Sequence, residues 1–236
     1  MTRLRDAHSS ANAFQQRLGL EFDDPGLLEL ALTHASVPNE NEGDPLDSNE
    51  RLEFLGDALV GLVVARSLFD RLPGESEGDL TVRRSLAIRT EALERVAREL
   101  DLGRYLVLGR GEQTNGGAER SRTLASALEA VIGAVLLDKG NEEAMAFAER
   151  ILANEIDIAA NASRLKDPKS LLQEYMQARG SSLPEYRVIA SSGPPDTPSW
   201  TVEVLCDGEV AAEGEGRRKL DAERQAANRA LDLLDL

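Results

Sequence analysis

Between Asn49 and Val60 the chain reads N-E-R-L-E-F-L-G-D-A-L-V, which sets three carboxylates, Glu50, Glu53 and Asp57, among apolar residues. Their spacing is i, i+3, i+7, and a helix of about 3.6 residues per turn stacks such positions along one side. Leu52, Leu55, Leu59 and Leu62 form the adjoining apolar stripe, so the acids lie at the margin of a core-facing surface. Carboxylates crowded there repel one another unless a cation or a basic partner is present. The arrangement suits a divalent-metal site. A further embedded acid, Glu129, is flanked by Ala125, Leu128, Ala130, Val131 and Ile132. Buried without a partner it would cost roughly several kcal/mol, so it needs a cation, a proton or hydrogen bonds. A place at the rim of its helix, or an ion pair with Arg84 or Arg122, would meet the same need.

Helices must carry these acids. Ala11–Leu18 reads as a first helix and the apolar run after Asp23-Asp24-Pro25 as a second, with Asp24 as cap and Pro25 in its first turn. Val37–Asp47, polar and with two prolines, reads as a loop. The acidic stretch then forms a long helix from Asp47 or Ser48 to Phe69, stopped by Leu72-Pro73-Gly74. Leu80, Leu86, Leu93, Val96 and Leu100 recur at helical intervals and predict two helices within Glu77–Leu100. Gly109–Gly117 reads as a glycine-rich loop, and Arg122–Asp138 and Glu142–Ala160 as helices. No strand signal appears before about residue 185, so the first part of the chain is expected to be all-α.

The pattern breaks at Asn161–Lys169. Beyond it a helix, Ser170–Arg179, precedes three short alternating segments, Tyr186–Ala190, Trp200–Cys206 and Glu209–Gly214. Asp207-Gly208 between the last two is a hairpin signal, and a helix over Leu220–Leu234 ends the chain. The order α-β-β-β-α describes a small α+β module.

Composition narrows the function classes. With 42% hydrophobic residues and only 4% aromatic, the chain is globular and its core must be built from Leu, Ala, Val and Ile. One cysteine among 236 residues rules out an intrachain disulfide and suits a reducing cytoplasm. Two histidines and one cysteine make a structural zinc site an unsuitable reading. No apolar run reaches membrane-spanning length, and the polar start of the chain lacks a signal-peptide core, so a cytoplasmic protein with no membrane partner is expected. The net charge of −15 weighs against a generic nucleic-acid binder, although a local basic cluster can still grip a polyanion. His34 and Cys206 read as structural, the first as a hydrogen-bonded residue after an apolar helix, the second as a core residue of a strand.

N-E-R-L-E-F-L-G-D-A at 49–58 resembles the signature of bacterial ribonuclease III. T-H-A-S at 33–36, E-G-D at 77–79, G-x-G-E at 109–112, G-G at 116–117 and L-E-A-V-I-G-A at 128–134 match the same family in order. D-P-K-S-L-L-Q-E-Y at 167–175 resembles the start of a double-stranded-RNA-binding domain. The resemblance implies an all-α endonuclease domain at 1–160, a linker at 161–166 and an α+β (α-β-β-β-α) double-stranded-RNA-binding domain at 167–236. It implies a homodimer, joined through the endonuclease domain, that cuts both strands of an RNA duplex. Each site would use Mg²⁺, with Mn²⁺ as a substitute, to activate water, leaving 5′-phosphate and 3′-hydroxyl ends. Processing of ribosomal and other structured RNA precursors is the implied role. By position, Glu53, Asp57, Ser126 and Glu129 stand at the metal site, and Asp57, Glu129 and Glu50 carry the catalytic roles, with Glu50 an outer member. Gln173, Glu174, Gly193, Pro194, Arg217, Arg218 and Lys219 match RNA-contacting positions.

The chain departs from the family pattern at two places. Leu124-Ala125-Ser126-Ala127-Leu128-Glu129-Ala130 has a serine where the family places a metal-ligating aspartate. A neutral hydroxyl removes one charge and is a weaker Mg²⁺ ligand, so weakened metal binding is expected. The alternative is a double-stranded-RNA-binding protein with weakened or lost cleavage, Ser126 being a tolerated variant or a disabling substitution. In the second module Asp196 replaces the usual histidine and Leu220 a usual lysine, and from Asp167 onward eight basic residues face 13 acidic ones, a net −5. RNA affinity should therefore be modest and strongly salt-dependent. A purely helical interaction protein would leave the embedded acids unexplained.

Overall fold

The computed structural model describes residues 2–40, 44–162, 167–192, 194 and 198–234, with side chains from residue 8 onward. The chain divides into two compact units, Met1–Ala162 and Ser163–Leu236.

The first unit is helical. In chain order it contains α1 (Thr2–Leu18), α2 (Pro25–Ala31), α3 (Ser36–Glu40), α4 (Glu50–Arg71), α5 (Glu77–Ile88), α6 (Thr90–Glu99), α7 (Arg110–Thr114), α8 (Ser121–Lys139) and α9 (Asn141–Ala160). Asp24 caps α2 as expected, its Oδ1 accepting from Gly26 N at 3.0 Å. α8 is buried over most of its circumference from Thr123 to Val135, as a helix apolar on nearly every side must be. Around it pack α2, α4, α6 and α9. The core is Leu, Ala, Val and Ile with few rings, among which Phe14 and Phe147 are buried.

Two arginines pin α5 and α6 to α9. Arg83 Nη1 donates to the carbonyls of Ala159 at 2.7 Å and Ala160 at 2.9 Å, so a buried cation satisfies the last acceptors of α9. Arg95 grips the buried Glu155 with two guanidinium nitrogens, Nε at 2.9 Å and Nη2 at 2.5 Å. The fork geometry suits the carboxylate and satisfies both of its oxygens.

Three local readings change. Val37–Asp47 is not wholly a loop, since α3 and a 3₁₀ turn over Pro45–Asp47 occupy its described parts. Within Gly109–Gly117 lies α7, a helix of five residues. It forms because the Glu40 carboxylate accepts from the backbone N–H groups of Arg110 and Gly111, both at 2.8 Å, meeting the unpaired donors of a helix start. The THAS segment is tied to the same region: Thr33 bridges Val107 in parallel, and Gly109 N donates to Ser36 Oγ at 2.8 Å. Leu62 leaves the apolar stripe read for α4, being 56% exposed.

The second unit runs α10 (Pro168–Ala178), β1 (Glu185–Ser192), β2 (Ser199–Cys206), β3 (Glu209–Gly216) and α11 (Lys219–Leu233). The sheet is antiparallel in the order β1-β2-β3. Asp207 and Gly208 both take positive φ, 51° and 86°, the backbone a two-residue hairpin turn requires. Its core joins Leu172 and Met176 of α10 to Val204 of β2 and to Ala226, Ala227, Ala230 and Leu231 of α11. Opposite charges sit across β1 and β2, where Arg187 faces Glu203 with Nε at 3.2 Å from the carboxylate.

Candidate active site

The site depends on how closely α4 and α8 approach. A Cβ placed on Gly56 would lie 1.8 Å from the Glu129 carbonyl oxygen, and one on Gly133 would lie 2.2 Å from the Leu52 carbonyl oxygen. Any side chain at either position would force the two backbones apart. Gly56 lies between Glu53 and Asp57 in sequence, so the contact sets both acids of α4 against Glu129 of α8. The start of α4 is fixed from below by Asn49, buried at 3% exposure, whose N–H donates to Thr33 O at 2.9 Å.

A cleft of about 380 Å³ opens here, and Glu53, Arg122, Ser126 and Glu129 line it. Ile88 and Leu93, from α5 and α6, and Ala125 of α8 add its apolar lining, with Thr90 beside them. Burial raises the Glu129 pKa to about 7, and the charges of Asp57 and Glu53 push it the same way. Glu129 has no side-chain partner among the described residues, so the pairing with Arg84 or Arg122 does not form. Proton, metal or another cation must answer that charge. Among the described residues, no three His, Cys, Asp or Glu side chains are drawn together tightly enough to hold a metal ion unaided.

Of the positions singled out in the sequence, Glu53, Ser126 and Glu129 share the cleft, and Asp57 acts on Glu129 electrostatically. Glu50 does not line it. That residue is exposed in the first turn of α4, where its Oε2 accepts from Ser48 Oγ at 3.5 Å. His34 is structural, its Nδ1 accepting from Ser36 N at 3.1 Å, and Cys206 is half-buried against the core of the second unit. The sequence offers Arg122 as an ion-pair partner of Glu129, whereas in the structure it lines the cleft without that pair. Its place in the cleft follows from the i, i+4, i+7 spacing with Ser126 and Glu129, which the sequence displays.

In the second unit Gln173 and Glu174 lie exposed on α10, and Pro194 is exposed. Gly193 and Asp196 lie outside the described residues, as do residues 163–166 of the expected linker. Arg217, Arg218 and Lys219 are exposed at the start of α11. Lys219 Nζ stands 3.8 Å from Glu223, whereas Arg217 and Arg218 have no acidic partner among the described residues.

Residues 24–156 match the ribonuclease-III-like family and residues 168–234 the double-stranded RNA binding motif. A Ribonuclease 3 from Pelotomaculum thermopropionicum is 42% identical over 231 residues, covering 98% of this chain and 96% of its own. One from Dehalococcoides mccartyi is 44% identical over 217 residues, 92% of each chain. The nuclease domain of ribonuclease III from Campylobacter jejuni, studied for flexibility in a region involved in dimer formation, superposes with a TM-score of 0.56 at 39% identity. That match spans 61% of this chain and 97% of the other. The helical first unit with its acidic α4–α8 cleft, and the α-β-β-β-α unit after it, place the chain in the ribonuclease III family, as a double-strand-specific endoribonuclease.

Proposed function

We propose that the chain hydrolyses phosphodiester bonds of double-stranded RNA in the α4–α8 cleft with the help of Mg²⁺, giving 5′-phosphate and 3′-hydroxyl ends. The observation that carries this reading is the contact at Gly56 and Gly133, which sets Glu53 and Asp57 against the half-buried Glu129. Three carboxylates that repel one another are what a hard divalent cation relieves, and Mg²⁺ keeps several waters, so an open set of oxygens suits it. Glu53, Asp57 and Glu129 would hold the ion partly through its own waters, since the three are not gathered closely enough to bind it unaided, and the Ser126 hydroxyl would reach it through a water. Bound there, the ion supplies a nucleophile near neutral pH and neutralises charge at the scissile phosphate. The apolar wall of Ile88 and Leu93 lowers the dielectric around the acids. Glu50 serves as an outer acid on the approach to the cleft.

Residues 1–160 form the endonuclease domain in this reading, 161–166 the linker and 167–236 the RNA-binding domain. Gln173 and Glu174 reach the minor groove and its 2′-hydroxyls, with Gly193 and Pro194 at a second contact. Arg217, Arg218 and Lys219 meet phosphates. An exposed apolar stripe on α4, Phe54, Ala58, Leu62 and Phe69, with the half-buried Ala65 between the last two, supports a homodimer through the first unit. Phe54 is 80% exposed and Phe69 67%, more apolar surface than a solvated helix face needs. Processing of ribosomal and other structured RNA precursors in the cytoplasm is the role this activity would serve. Among the described residues no helix is long and apolar enough to cross a membrane.

Ser126 favours a second reading, an RNA-binding protein with weakened cleavage, because it puts a neutral group into the cleft. Cleavage of a long RNA duplex, run with Mg²⁺ and then Mn²⁺, separates the two. The proposed activity gives short duplex products with 3′ overhangs, and none from single-stranded RNA. Binding without cleavage under either metal leaves the second reading standing. S126D should lower the metal concentration that half-maximal cleavage needs, and no change in that concentration would mean that position 126 does not reach the ion.

A further inference from the structure

The acids of the cleft explain how a cation is held, but they would repel an RNA phosphate. One fixed positive charge shares their cleft. Arg122, Ser126 and Glu129 follow one another at i, i+4, i+7 along α8, and all three line the space that Glu53 faces from α4. Arg122 is exposed, and among the described residues its side chain has no hydrogen bond and no ion pair. Many other arginines of this unit are spoken for: Arg95 by Glu155, Arg98 by Glu94 and Glu119, Arg120 by Glu112.

We propose that Arg122 binds a substrate phosphate in the cleft, and that Ser126 keeps it free to do so. A guanidinium offers paired donors that match two phosphate oxygens. An aspartate at position 126 would stand one turn from Arg122, the i, i+4 spacing at which opposite charges pair on a helix. That acid would draw the guanidinium onto the helix surface. Serine has no charge to offer, so the cation remains available at the mouth of the site. Losing an acid and keeping a free arginine are thus coupled: the cleft holds a cation less tightly and attracts the phosphate more directly.

The inference rests on the duplex-cleavage reading, and two measurements on the full chain test it. The first is equilibrium binding of an RNA duplex in EDTA across a salt series, which needs no bound metal. R122A should bind more weakly, with the slope of log affinity against log salt shallower by about one phosphate contact. R122K, which keeps the charge, should retain most of the slope. In an S126D background, R122A should change the slope by less than half as much. The second is single-turnover cleavage with Mg²⁺, which R122A should slow by roughly tenfold or more. The melting temperature should stay unchanged, since the side chain is exposed and unpartnered. Unchanged affinity, slope and rate in R122A, with the parent binding and cleaving, would overturn the inference alone. A parent chain that binds no duplex would overturn both the inference and the reading beneath it.

Discussion

Glu129 lowers the stability of the fold whenever it is ionised. Its ordinary pKa of 4.5 rises to about 7 because burial, and then the charges of Asp57 and Glu53, disfavour the anion. The folded chain therefore holds this proton over a range in which the unfolded chain has released it. Stability falls as pH rises from about 4.5 to about 7, and the loss persists above that. In EDTA the parent should lose more stability between pH 5 and pH 8 than E129Q does. Mg²⁺ at pH 8 should restore more to the parent than to the variant. Equal pH slopes in thermal or denaturant unfolding would contradict this. The residue types were legible in the sequence, as were the i, i+3, i+7 acids and the serine at 126. Which of the acids carries the raised pKa was not, because that depends on how deeply the rim of α8 sinks beside α4. The partnerless state of Arg122 was hidden for the same reason, since it depends on which acids fail to reach it.

At the level of elements, the crossing of α4 and α8 is the feature that makes the site. Gly56→Ala should remove cleavage and lower stability by about 1–3 kcal/mol or more, since its Cβ would meet the Glu129 carbonyl oxygen at 1.8 Å. A denaturant titration and a cleavage assay on the variant check this together; an active variant of parental stability would refute the close-contact account. The sequence predicted the long helices well, because Leu80, Leu86, Leu93 and Val96 repeat at the helical period and Pro25 and Pro73 mark ends. It did not show α7, whose five residues are held by Glu40, about seventy positions earlier in the chain. Nor did it show that Leu62 faces outward, since leucines of the buried and exposed sides of α4 follow the same spacing. Local periodicity reports a helix, and only tertiary contact reports which of its faces is covered.

At the scale of the whole molecule, an acidic chain of net charge −15 has to hold a polyanion, so its few unpaired cations matter more than its composition. In the second unit Lys169 and Arg224 are tied to Glu223 and Asp167, Arg179 lies over the Tyr175 ring and Arg229 donates to the Glu213 carbonyl, whereas Arg217 and Arg218 have no such partner among the described residues. R217A/R218A should weaken duplex binding uniformly across sequences and flatten its salt dependence by about two phosphate contacts. Unchanged binding by that variant would show that the start of α11 does not meet the RNA. The central claim is narrower: the α4–α8 cleft is where the duplex is cut. The direct measurement is single-turnover cleavage of an RNA duplex by E129Q at saturating protein, alongside its equilibrium affinity for the same duplex. Affinity should stay within about twofold of the parent while cleavage falls roughly 100-fold or more. Cleavage by E129Q at the parental rate would show that the bond is broken elsewhere.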